Sequence, residues 1–125
     1  MLEFQILTSS NIVKDRERQL KISETQINIS KNSVKDQETN LKDIERRLKD
    51  EQTLFEQGSS TKSQLDSVQL QKDRGLLALA NAKLSLLRTE QDLEGSIITL
   101  ENAKISFIKE EVKDIDFNTK EIILN

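Results

Sequence analysis

At 125 residues the chain has the length of one ordinary domain, but four Phe and no Trp or Tyr supply too little large apolar area for a thick core. One third of its residues are charged, the net charge is −3, and the two signs are interspersed without a basic block, which argues against a nucleic-acid partner. The absence of His and Cys removes the commonest metal ligands, the usual general base and any disulfide framework.

Nothing interrupts helix formation, because Pro is absent. Residues Met1 to Lys14 lack the basic stretch and apolar core of a signal peptide, and no apolar run approaches the ~20 residues that cross a bilayer. The first arm is predicted over about 5–57. Every seventh residue from Ile6 is apolar: Ile6, Val13, Leu20, Ile27, Val34, Leu41, Leu48, Phe55. Such a run marks a coiled-coil seam, and a 3.5-residue repeat on a 3.6-residue helix implies a left-handed supercoil. Three residues after the large positions come Ser9, Arg16, Ser23, Ser30, Gln37 and Ile44.

A turn is predicted over 58–61. Gly58 can take the left-handed conformation that ends a helix. Thr61 and Gln64 match a capping box, which satisfies the free amides of the next helix.

The second arm, about 62–113, carries its own series: Leu65, Lys72, Leu79, Leu86, Leu93, Leu100, Phe107. Lys72 is its one polar member, and its alkyl stem can cover apolar surface. The companion positions are mostly small: Val68, Gly75, Ala82, Thr89, Ser96, Ala103. Folding the chain at the turn sets Phe55 against Leu65, Leu41 against Leu79, Val34 against Leu86, Ile27 against Leu93, Leu20 against Leu100 and Val13 against Phe107. Matching phase across a short break is the requirement for an αα-hairpin. The expected fold is therefore all-α, a long antiparallel two-helix coiled-coil hairpin, closely packed because large residues meet small ones. Arms of some fifty residues would reach about 75 Å at 1.5 Å per residue.

A second apolar stripe runs along the second arm through Leu70, Leu77, Leu84, Ile98, Ile105 and Val112, with Gln91 as its only polar member and Leu87 and Ile108 nearby. A lone hairpin buries one face only, so this stripe suggests a further helix, a neighbouring hairpin or self-association, the alternative being ordinary apolar surface. After Val112 the heptad phase is lost, and 114–125 is expected to be irregular or frayed.

No catalytic, cofactor-binding or metal-binding residues are expected. The carboxylates are scattered among Lys and Arg as on a solvated surface, and the glycines at 58, 75 and 95 form no phosphate loop. The pattern fits protein–protein contact.

The stretch Leu54-Phe55-Glu56-Gln57-Gly58-Ser59-Ser60-Thr61-Lys62-Ser63-Gln64-Leu65-Asp66 resembles the hairpin tip of the haemolysin-D-type membrane fusion proteins, the periplasmic adaptors. Leu54, Phe55, Glu56, Gly58, Lys62, Leu65 and Asp66 agree with that tip, and Thr61 replaces its Ser while keeping the hydroxyl. The run Phe107-Ile108-Lys109-Glu110-Glu111-Val112 is similar to an element of the type I secretion branch. The resemblance implies a hairpin set within a larger, inner-membrane-anchored periplasmic protein, with lipoyl-like and β-barrel modules beside it. It implies an outer-membrane exit duct as the partner at the tip, an inner-membrane transporter of ABC type bound through the other modules, and homo-oligomers. Charge distribution and hydropathy, for their part, argue against nucleic-acid binding and against membrane insertion by this segment.

The tip contact is expected to involve Leu54, Gly58, Ser59, Ser60 and Thr61. The family's docking Arg, Leu and Ser fall on Asp50, Leu54 and Thr61. Asp50 reverses the charge of that Arg, and Arg47, one turn earlier on nearly the same face, is the nearest basic substitute. Gly58 and Thr61 also have a purely structural reading as caps. The alternative function is a coiled-coil spacer or oligomerisation module with a turn that merely connects. A membrane-surface helix fits poorly, since it needs one basic polar face and the charges here are mixed.

The register has a direct test in a chain without thiols. A Val34→Cys/Leu86→Cys pair is expected to crosslink within the monomer under mild oxidation, read as a mobility shift on non-reducing gels at limiting protein concentration; absence of the monomeric crosslink contradicts the alignment.

Overall fold

A computed structural model describes residues 2–124, with side chains described over 2–123. Helix α1 spans Leu2–Glu56, helix α2 spans Lys62–Leu124, and the two pack against each other as an antiparallel hairpin. The helices divide into two compact units. A turn-side unit comprises Ile27–Thr89, and a base-side unit pairs Met1–Gln26 with Glu90–Asn125.

Burial follows the heptads in each unit. In the turn-side unit Ile27, Leu41, Ile44 and Leu48 are buried, with Val34, Leu65, Val68, Leu79, Ala82 and Leu86 half-buried around them. In the base-side unit Ser23 and Leu100 are buried, and Ile6, Val13, Leu20, Leu93, Ala103 and Phe107 are half-buried. Among the described residues no side chain is completely enclosed. Two helices present one seam, and a seam covers each side chain on its inner side alone.

Two contacts report the register at close range. Ser23 and Ser96 exchange a hydroxyl–hydroxyl hydrogen bond of 2.8 Å across the base-side seam. Both polar groups are thereby satisfied where water has little access. In the turn-side unit a Cβ built on Gly75 would lie 3.2 Å from Leu41 Cδ1 and 3.3 Å from Ile44 Cδ1. The missing side chain is what lets α2 approach Leu41 and Ile44 of α1 so closely. The Ser23–Ser96 and Ile44–Gly75 contacts lie within one residue of the register read off the heptads. Lys72 is half-buried in the seam, as its stem requires.

The seam ends differ from its middle. Phe55, expected to face Leu65, is 40% exposed, because α1 stops one residue later and offers no further turn to cover the ring. Glu110, seven residues beyond Ala103, is half-buried. Its Oε1 lies 3.5 Å from Lys113 Nζ, and its Oε2 is buried with no hydrogen-bond partner among the described residues.

The tail expected over 114–125 to be irregular is instead helical: α2 continues to Leu124, and Asn125 lies outside the described residues. Loss of the heptad phase removes the seam but not the helix. No Pro or Gly follows Gly95, Lys120 pairs with Asp116 at 3.1 Å across one turn, and Asn118 donates to Asp114 at 3.5 Å. Such i, i+4 pairs support helix locally without tertiary burial. The first arm likewise begins at Leu2 rather than near residue 5.

The three glycines differ in what surrounds them. Gly95 meets nothing within 4 Å, so Gly95→Ala is expected to stabilise the chain by ~1 kcal/mol through helix propensity alone. Gly75→Ile inserts a branched side chain against Leu41 and Ile44 and should cost ~1–3 kcal/mol by overpacking. Thermal and urea unfolding followed by circular dichroism separate the two; equal effects at both positions contradict the close approach at Gly75.

Candidate functional site

The site expected from sequence is the turn, and its geometry follows from two opposed capping devices. Gly58 has φ +77°, a conformation that other residues adopt at a cost of ~1–2 kcal/mol. Ser59 N–H donates to Leu54 C=O at 2.8 Å and Gly58 N–H to Phe55 C=O at 3.1 Å. These are the two bonds of a Schellman closure, which satisfies the last carbonyls of α1. The next helix opens with the predicted reciprocal cap. Gln64 N–H donates to Thr61 Oγ1 at 3.1 Å, and Thr61 N–H donates to Gln64 Oε1 at 3.2 Å. The reversal thus takes Gln57 to Thr61, with few backbone groups left free to rearrange.

A further link crosses the turn. The Ser60 hydroxyl donates to the Glu51 carboxylate, and it also lies 2.9 Å from Gln64 Oε1. One hydroxyl proton serves one acceptor at a time, and the charged carboxylate is the stronger. Glu51 is half-buried and was not singled out by sequence; its position four residues before Phe55, in the companion series of α1, is the signal that places it toward α2.

The expected contact residues divide into three groups. Leu54, Ser59 and Ser60 come together around an open hollow, with Glu51, Gln64, Ser67 and Val68 completing its lining. Leu54 is 41% exposed, as expected for a residue at the flank of the seam. Gly58 and Thr61 are exposed but do not line the hollow; they hold the backbone that forms it. Asp50 and Arg47 also lie outside the lining.

Arg47 is not free to replace a basic docking residue without cost. Its Nε is 3.3 Å from Asp43 Oδ2, while Arg46 holds Asp43 Oδ1 at 2.7 Å. The Arg46 hydrogen bond, joined by the charges of Arg46 and Arg47, lowers the Asp43 pKa below the ordinary aspartate value. The Asp43 hydrogen bond and charge, with a smaller part from the charge of Asp50, raise the Arg46 pKa. Sequence reasoning also passed over Phe55 as an exposed tip residue, since its heptad position read as core.

Comparisons with family models, curated proteins and solved structures found no match to this chain. Among the described residues no helix is long and apolar enough to cross a membrane.

Both caps can be tested on stability. Gly58→Ala is expected to lower it by ~1–2 kcal/mol from backbone strain, and Thr61→Ala by ~1 kcal/mol from the lost cap. Thr61→Ser should be near neutral because it keeps the hydroxyl. Urea midpoints measure all three, and a Gly58→Ala protein as stable as the parent contradicts the left-handed turn.

Proposed function

We propose that this hairpin is the docking arm of a periplasmic adaptor in a tripartite export system, of the type I secretion kind, with its turn set against an outer-membrane exit duct. The observation that carries the reading is the tip segment 54–66, where Leu54, Phe55, Glu56, Gly58, Lys62, Leu65 and Asp66 coincide with the adaptor tip. Its physical support is the form of the turn. Two opposed caps fix the backbone, and Leu54 and Phe55 stand part-exposed beside it. A pre-ordered turn bearing apolar side chains loses little entropy on docking. The role is contact rather than catalysis. Transport energy comes from an inner-membrane partner of ABC type, bound through other modules of the same anchored protein.

Self-association belongs to the same proposal. In the turn-side unit Leu70, Leu77, Leu84 and Leu87 of α2 are exposed, as are Ile98, Ile105, Ile108 and Val112 in the base-side unit. These apolar side chains are the candidate lateral surface for neighbouring hairpins. In the competing reading, a coiled-coil spacer, the same surface serves oligomerisation and the turn contacts nothing.

Two measurements separate the readings. A photo-crosslinking residue at Ser59 of the full-length protein in living cells is expected to capture an outer-membrane duct, identified by mass spectrometry. Capture of the protein itself alone, or of nothing, with the same probe active at a seam position, favours the spacer. Leu54→Asp is expected to abolish export while leaving the helical circular dichroism and melting temperature near those of the parent; undiminished export removes the docking claim.

A further inference from the structure

The hollow beside the turn has a chemistry that narrows what it can receive. Leu54 and Val68 give it apolar surface, and Ser59, Ser60 and Gln64 give it neutral polar groups. Glu51 is the single charged residue lining it among the described residues. Its carboxylate makes no ion pair with any of them, and the Ser60 hydroxyl holds it in place. The chain around it has one sign: between Lys49 and Lys62 every charged residue is acidic, namely Asp50, Glu51 and Glu56.

An occupant that covers Leu54 and Val68 also removes water from Glu51. A carboxylate deprived of water and left without a counter-charge is strongly destabilising. An apolar or anionic occupant therefore gains contact on the leucine and loses more at the carboxylate. A cationic side chain on an alkyl stem meets both demands. Its methylenes lie on the apolar surface, and its head donates to a carboxylate already oriented by Ser60, the stronger kind of hydrogen bond.

We infer that this hollow is a socket for a cationic side chain, arginine or lysine, projected by the exit-duct partner. The inference rests on the docking role proposed above and assigns its chemistry: the acidic, positioned Glu51 supplies the charge contact of this tip. Leu54 then acts as the apolar bed of the stem, and Ser60 as a positioning residue for the carboxylate.

The test uses the full-length protein in living cells, with the photo-crosslinking residue at Gln57, which is exposed and outside the hollow. Glu51→Gln keeps the shape and an acceptor for Ser60, and is expected to lower duct capture about tenfold through loss of a charge-assisted contact. Glu51→Lys is expected to abolish capture, and reversing the crosslinked partner's Arg or Lys to Glu is expected to restore it. Circular dichroism of each variant reports whether the hairpin persists. Duct capture unchanged in both Glu51 variants overturns the socket and leaves the docking role standing. Failure of the parent protein to capture a duct overturns the docking role, and the socket with it.

Discussion

Among the described residues there are two helices and no third layer, so in each unit the side chains removed from water lie in a strip along the face the helices share. The whole arrangement depends on that restriction. A side chain in such a strip is covered on its inner side and open at its flank, which is why even Ile44 and Leu48 retain 5% exposure. Close approach becomes the available means of improving burial. Gly75 supplies it beneath Leu41 and Ile44, and the paired hydroxyls of Ser23 and Ser96 supply a polar equivalent in the other unit. Small and hydroxylic residues, poor material for a thick core, suit a seam in which helix backbones draw together.

The turn solves a separate problem. A helix end leaves carbonyls without partners, and a helix start leaves amides without partners. Here the two ends are five residues apart, between Glu56 and Lys62, and each is closed by its own neighbours. Gly58 supplies the left-handed step, Ser59 and Gly58 donate backward, and Thr61 and Gln64 close on each other. Because the backbone is satisfied internally, the side chains beside it are free for contact. Leu54, Phe55 and Glu51 thereby stand beside an ordered frame, which is the physical support for the docking role we propose.

The candidate site was legible in part. Gly58 and Thr61 declare themselves by residue type, since few residues take φ +77° or cap a helix well. Leu54 is displaced by one position from the heptad series, and that displacement predicts its partial exposure. Phe55 misled for the opposite reason: heptad phase says which way a side chain points but not whether a partner turn exists to cover it. The companion series of α1 could have placed Glu51 toward α2, but not its link to Ser60, which joins two stretches that neither period nor propensity connects. The tail misled because a helix can persist on local pairs such as Asp116–Lys120 after its seam has ended.

By itself the sequence determined the fold class, the two arms, the point of reversal and the face each arm buries. Those follow from periodicity, the absence of Pro and the chemistry of Gly58 and Thr61, all properties of short stretches of chain. The tertiary structure decided what happens where two stretches meet. It set the approach of α2 at Gly75, the Ser23–Ser96 bond and the place of Glu51 beside the turn. These depend on the distance between two helices, which interlocking side chains from both fix jointly and neither arm encodes alone.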